Sequence, residues 1–229
     1  MHTDGALQER VVVAASAVHD AHTLPLDVAA LAEPVAVGLH AVRRAEVRPA
    51  DRVVILGAGP IGLSIAHATV QRGAAALMID RSPDRLRVAT ATGVSAVINT
   101  STPDLVAEVL RWSGPEGPRV VLDATGSSAA IGSAIDLVAH TGTVAVVGVS
   151  TDLLQVPVVE FSRKELNVVG CRNSAGEFPD AVAAIGGNLE LFRRWLTDSI
   201  DLAAAPEYLR SDRRRPRGIK TLVQVPRRL

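Results

Sequence analysis

The run Val53-Val54-Ile55-Leu56-Gly57-Ala58-Gly59-Pro60-Ile61-Gly62 decides the reading of this chain. Four consecutive branched aliphatic residues fit a strand buried on both faces, as in a parallel sheet. Gly57 then makes a tight turn, Gly59 lets the backbone approach a pyrophosphate, and Gly62 permits close packing of a helix that starts at Pro60 and stops at Gly73. That helix turns its free N–H groups and positive dipole end toward phosphates. The next strand ends at Asp80, eighteen residues past Gly62, where a carboxylate can accept hydrogen bonds from the adenosine ribose and repel a 2′-phosphate. NAD is therefore the expected cofactor, although Arg81 directly after it leaves NADP open. The competing reading is that the glycines only shape a turn and Asp80 only caps the helix beginning at Pro83.

Outward from this run, short aliphatic stretches alternate with helical-period segments, the sequence form of successive βαβ units. Strands are predicted at Val53–Gly57, Ala76–Asp80, Ala96–Asn99, Arg119–Asp123, Thr143–Gly148 and Asn167–Gly170. Helices begin near Pro60, Pro83, Pro103 and Ser128, and a proline at a helix start loses no hydrogen bond. The fold class is α/β, a doubly wound Rossmann sheet of six parallel strands. A helix is predicted from Pro34 to Arg44 with Val35, Leu39 and Val42 on one face, and a lone strand from Gln8 to Ala15. Helices are expected at Phe178–Ile185 and Leu189–Leu196, and a last strand at Lys220–Val225.

Composition narrows the function classes. Of the 229 residues, 48% are apolar but only 3% aromatic, which suits tightly packed helices on a parallel sheet. Net charge is zero, so no long-range field draws the whole molecule to nucleic acid or to an acidic membrane. The charge is uneven: Arg210–Leu229 holds eight basic residues against one acid, +7, leaving −7 elsewhere. No aromatic is interleaved with those basic residues, so a solvated segment is preferred over a nucleic-acid arm. A single cysteine, Cys171, excludes an internal disulfide framework and a multi-cysteine zinc site. No signal-peptide layout and no membrane-spanning run is present, and a cytoplasmic location is expected.

Several segments together carry a family resemblance: Glu33-Pro34-Val35-Ala36-Val37-Gly38-Leu39-His40-Ala41, Gly57–Gly62, Asp80 with Arg85 five residues on, Asp123-Ala124-Thr125-Gly126, Val147-Gly148-Val149, and Gly170-Cys171-Arg172-Asn173. In order and spacing the chain resembles the zinc-containing medium-chain alcohol/polyol dehydrogenases, closest to the sorbitol (L-iditol) branch. The resemblance implies that Gly57, Gly59, Pro60, Ile61, Gly62, Asp80, Arg81 and Arg85 serve the adenosine and phosphate half of NAD. It implies that Thr125, Gly126, Val147, Gly148, Val149, Cys171, Arg172 and Asn173 lie along the other half. Arg172 matches a position that can meet substrate, and Glu33 the family's acid near a catalytic zinc. These two are the candidate catalytic residues; His40 and Glu177 are further polar groups expected near the nicotinamide.

The resemblance also sets a domain scheme: residues 1–32 as the remnant of a GroES-like catalytic domain, 33–174 as the NAD-binding domain, and 175–229 as C-terminal helices and a return strand. Family members carry a zinc-binding cysteine and a His-Glu pair in that GroES-like domain, and neither is found here. None of the six histidines precedes a glutamate, and a catalytic zinc takes three protein ligands. Zinc is not expected. The expected function is an NAD-binding oxidoreductase acting on a small alcohol, polyol or ketone, impaired or zinc-independent. The alternative is a non-catalytic NAD-binding module or partner subunit. Homo-oligomerisation is expected, and no nucleic-acid or membrane partner.

Overall fold

The computed structural model describes residues 5–211 and 218–226. Helices α1 (Leu26–Ala29) and α2 (Ala32–Arg44) lead into β1 (Arg52–Leu56), α3 (Pro60–Gln71), β2 (Ala75–Asp80), α4 (Pro83–Ala91) and β3 (Ala96–Asn99). Next come α5 (Leu105–Ser113), β4 (Val120–Asp123), α6 (Ser128–Leu137), β5 (Thr143–Val146), α7 (Val159–Arg163) and β6 (Asn167–Gly170). The chain continues through α8 (Phe178–Gly187), α9 (Leu189–Arg193), β7 (Leu196–Asp201), α10 (Ala205–Arg210) and β8 (Lys220–Gln224).

Six strands form one parallel sheet in the order β3-β2-β1-β4-β5-β6, and β7 and β8 make a separate parallel pair. The order reverses between β1 and β4, which opens a crevice at the carboxyl ends of those strands, where such sheets bind ligands. Because side chains alternate along a strand, each strand feeds two cores. Val53, Ile55, Met78 and Leu122 pack with Val35 and Val42 of α2 and Leu63 and Ile65 of α3. Val54, Leu56, Leu77 and Val121 pack with Val109 of α5 and Ile135 and Leu137 of α6.

Helix α2 seats on α3 through a glycine. A Cβ on Gly38 would stand 2.4 Å from Ser64 Cβ and 2.5 Å from the Ser64 carbonyl carbon. Any larger residue there forces the two helices apart, a steric cost of about 1–3 kcal/mol. The crossover from β5 to β6 is anchored by Lys164, whose Nζ donates to the carbonyls of Ile135, Asp136 and Val138 at 3.0, 2.6 and 3.0 Å. The ammonium thus caps the end of α6, satisfying carbonyls that a helix leaves unpaired.

Four expectations are corrected. No strand forms over Gln8–Ala15; residues 8–14 are irregular, Val12 is fully exposed, and a 3₁₀ turn covers Ala15–Ala17. A β-branched run without a neighbouring ladder leaves its backbone groups to water. The helix expected over Leu189–Leu196 stops at Arg193, and Leu196 opens β7, because the Lys220 N–H claims the Trp195 carbonyl (3.0 Å) and draws the chain into the second sheet. Strand β5 ends at Val146 rather than Gly148, since the Val147 and Gly148 N–H groups both turn to the Asp123 carbonyl (2.9 and 3.0 Å). Pro103 precedes α5 instead of starting it, and the N-cap is Asp104, which accepts from the Ala107 N–H at 2.9 Å. The basic stretch Arg210–Leu229 falls in part on residues 212–217 and 227–229, outside the described residues. Among the described residues no helix is long and apolar enough to cross a membrane.

Candidate cofactor site

The glycine turn closes against its own helix. A Cβ on Gly62 would lie 1.8 Å from the Gly57 carbonyl oxygen, and Gly57 itself adopts φ +98°, a conformation that only glycine holds cheaply. Gly59 differs from both: a Cβ there would meet nothing within 4 Å. The space in front of it is open, as a cradle for a pyrophosphate requires. The first backbone bond of α3 runs from the Leu63 N–H to the Gly59 carbonyl (2.9 Å), so the N–H groups of Ile61 and Gly62 are free for an anion. Pro60 occupies the first helical position, and Ile61 beside it is half-buried.

Asp80, only 8% exposed, ends β2 beside this turn. Its Oδ2 accepts from the Ala58 N–H and its Oδ1 from the Ser82 N–H, both at 2.7 Å. The carboxylate therefore braces the glycine turn against the β2–α4 connection. It does not cap α4: Ser82 does so, accepting from the Arg85 N–H at 3.4 Å. An ionised carboxylate offers about four lone-pair sites, so two remain for ribose hydroxyls. Arg81 is exposed directly after it. Arg85 turns its side chain toward the second sheet, lining a recess of about 380 Å³ with Arg194, Thr197 and Ile219, and its buried Nε has no partner among the described residues.

Across the crevice a second carboxylate organises the next loops. Asp123, fully buried, accepts from the Thr125 N–H (3.1 Å), the Thr125 hydroxyl (2.5 Å) and the Gly126 N–H (3.0 Å). Gly126 has φ +71°, and a Cβ on Gly148 would come within 2.0 Å of the Gly126 nitrogen. The loops after β4 and β5 are thus stacked backbone on backbone. Val149, just beyond, is 94% exposed.

After β6, Cys171 is buried, and burial pushes its thiol up, with Arg44 opposing. It stays a thiol at neutral pH. Arg172 and Asn173 are exposed, and Asn173 adopts φ +53°. Glu33 lies exposed on the first turn of α2. His40 and Glu177 do meet, Nδ1 to Oε1 at 3.0 Å, both buried, and Arg43 Nη2 reaches the same oxygen at 2.5 Å. Nothing in the local sequence signals that pairing, because 137 residues separate the partners.

The described residues do not fit a zinc site. Among the described residues no three His, Cys, Asp or Glu side chains gather as ligands. His19 stacks on Phe178, His22 pairs with Asp20, and His67 is buried against Phe192.

The family profile described as zinc-binding dehydrogenase matches residues 60–186, more than half of the chain. The chain belongs to the zinc-binding dehydrogenase family. Within it, the chain is 34% identical to the L-galactonate-5-dehydrogenase of Escherichia coli K12 over 81% of its own length and 54% of that protein's. It is 29% identical to the sorbitol dehydrogenase of Bacillus subtilis 168 over 79% of its length and 52% of that protein's. A crystal structure described as a zinc-binding dehydrogenase of Sinorhizobium meliloti 1021 bound to NADP superposes with TM-score 0.78 at 26% identity, covering 86% of this chain and 58% of that one. The chain spans about half the length of the two curated family members.

Proposed function

We propose that this chain binds NAD(H) across the carboxyl ends of β2, β1, β4, β5 and β6, as the cofactor-binding part of an alcohol or polyol oxidoreductase. The observation that carries the reading is Asp80: a carboxylate buried at the end of β2 and bonded to the Ala58 N–H of the glycine turn, one residue before the open face of Gly59. Adenosine is held at the β2 end by Asp80, and phosphates meet the N–H groups of Ile61 and Gly62. Three strand spacings separate β1 from β6, about 14 Å at 4.8 Å each. The nicotinamide half of an extended dinucleotide therefore falls along Thr125–Gly126, Val147–Val149 and Cys171–Asn173. Isothermal titration tests this: NADH binds more tightly than NADPH, and preferred binding of NADPH would transfer control of the site from Asp80 to Arg81.

The names of the two curated family members support a small sugar-acid or polyol substrate. Oxidising an alcohol also takes a proton from its hydroxyl, which needs a positioned base or an electrophile. Here His40 and Glu177 are occupied by each other, and Glu33 sits on an exposed helix turn. We therefore expect this chain by itself to turn over far below an ordinary enzyme rate of about 10 per second. The same pairing favours the second reading, a non-catalytic NAD-binding partner subunit. Following NADH absorbance over a panel of polyols and ketones separates the two, since reproducible slow turnover supports the enzyme and none supports the subunit.

A copy-to-copy contact is part of the proposal. Among the described residues strand β6 pairs only with β5, and the neighbouring Val149, Leu153 and Val158 are 94%, 84% and 83% exposed. An open edge beside exposed apolar residues favours a partner. Sedimentation that finds only monomer at high concentration counts against it.

A further inference from the structure

We propose that Glu177 is a positioning residue for the nicotinamide half of the cofactor, holding the loop Cys171–Gly176 in place through the last turn of α2. The inference rests on the cofactor reading above and goes beyond it by assigning what shapes that end of the cleft.

The loop is gripped on both sides of its exposed tip. Before it, Arg44 Nη2 donates to the Gly170 carbonyl at 3.5 Å. After it, Glu177, 4% exposed, accepts from the Ala175 N–H at 2.5 Å through Oε2, and from His40 and Arg43 through Oε1. Arg43 Nη2 also donates to the Ala175 carbonyl at 3.2 Å. Between the grips lie Cys171, Arg172 and Asn173, with Asn173 in the left-handed region. Cys171 is tied to β5, its N–H donating to the Val146 carbonyl at 2.9 Å, whereas Arg172 and Asn173 are exposed, so the grips brace the part of the loop beyond Cys171.

Glu177 is suited to the task. Burial pushes its carboxyl up, but the Ala175 N–H, His40 and Arg43 outweigh burial and hold it below the usual carboxylate range. It is therefore an anion with its acceptors engaged, unavailable as an acid or base and effective as a tether. Helix α2 carries the tether to the other half of the site. Its Gly38 rests on Ser64 and Ile65 of α3, the helix whose first turn faces the phosphates. One helix thus sets the distance between the phosphate cradle and the nicotinamide loop.

The test compares two ligands that share the adenosine diphosphate ribose portion. NADH carries the nicotinamide and ADP-ribose does not, so a fault confined to the 171–176 loop weakens the first and spares the second. Glu177→Gln keeps size but leaves an amide N–H₂ facing either the Ala175 N–H or the His40–Arg43 pair. A loop ordered in only a tenth of molecules lowers apparent affinity about tenfold. We expect NADH to bind about tenfold more weakly to this variant, with ADP-ribose changed less than about twofold. Arg43→Lys, at a half-exposed side chain, provides a milder second case with an intermediate NADH loss, and serves if the first variant does not fold. Equal weakening of both ligands, or no change in either, overturns the inference alone. Failure of the unmodified chain to bind either ligand sinks the cofactor reading and the inference with it.

Discussion

At the β2 end of the cleft, Asp80 is 8% exposed and pinned by two backbone N–H groups, and the glycine turn beside it has no room for a Cβ at Gly62. At the β5–β6 end the chain leaves Val149 and Leu153 almost bare, and the 149–158 connection is irregular. The first end is held by bonds within one βαβ unit. The second depends on contacts from elsewhere in the molecule, Glu177 to α2 and Gly148 to Gly126, and its apolar rim is exposed. One cleft can thus be held firmly at one end and conditionally at the other, since preorganisation is local to the bonds that produce it.

The largest effect should come from breaking the rigid end. Gly62→Ala forces a Cβ into the Gly57 carbonyl and should destabilise the fold by about 1–3 kcal/mol while reducing NADH affinity more than about a hundredfold. Gly59→Ala sharpens the point, because its Cβ meets only open space. Thermal denaturation should be unchanged within about 0.5 kcal/mol, yet NADH binding should fall at least about tenfold, a loss of about 1.4 kcal/mol. Normal binding by this variant would show that no pyrophosphate approaches Gly59.

Asp80→Asn comes next in size. It keeps an acceptor for one of the two N–H groups and removes the charge that disfavours a 2′-phosphate, so the NADH-over-NADPH ratio should narrow by about tenfold. A ratio that stays put would assign specificity to another residue.

The conditional end should respond differently. Val149→Asp should leave the melting behaviour of the dissociated chain within about 0.5 kcal/mol of the parent. Sedimentation equilibrium should nevertheless shift toward monomer if that rim meets a second copy. An unchanged association constant would place the contact elsewhere.

The smallest effects are protonic, and they separate the ends by pH. Burial lowers the pKa of His67 on α3, so the unfolded chain binds that proton more readily. Stability from this group is complete above the ordinary histidine value near 6.5 and is lost as pH falls from there toward the folded value. Glu177 is also depressed, and its contribution persists to lower pH, disappearing only below the ordinary carboxylate value of about 4.3. His67→Leu should flatten the stability profile just below the ordinary histidine value of about 6.5, and Glu177→Gln only below the ordinary carboxylate value of about 4.3. Denaturant titrations across that range would show whether the two windows are distinct.

By itself, the sequence determined the sheet and the rigid end of the site. Aliphatic runs such as Val53–Leu56, glycines at fixed offsets and an acid at the end of the next strand are short-range patterns, and the interactions they encode close within one βαβ unit. That is why the six strands and the placement of Asp80 beside the glycine turn are legible in the sequence. The same patterns misread Gln8–Ala15, because β propensity says nothing about whether a partner strand exists. They also missed β7, whose start is set by the bond between Lys220 and Trp195, 25 residues apart. Tertiary structure alone decided that His40 and Glu177 pair with one another, that Asp80 braces while Ser82 caps, and that Asp123 gathers the loop beyond β4. Each of those outcomes is a pairing between groups on different elements, or a choice between two local acceptors, and only packing brings such groups within hydrogen-bonding distance.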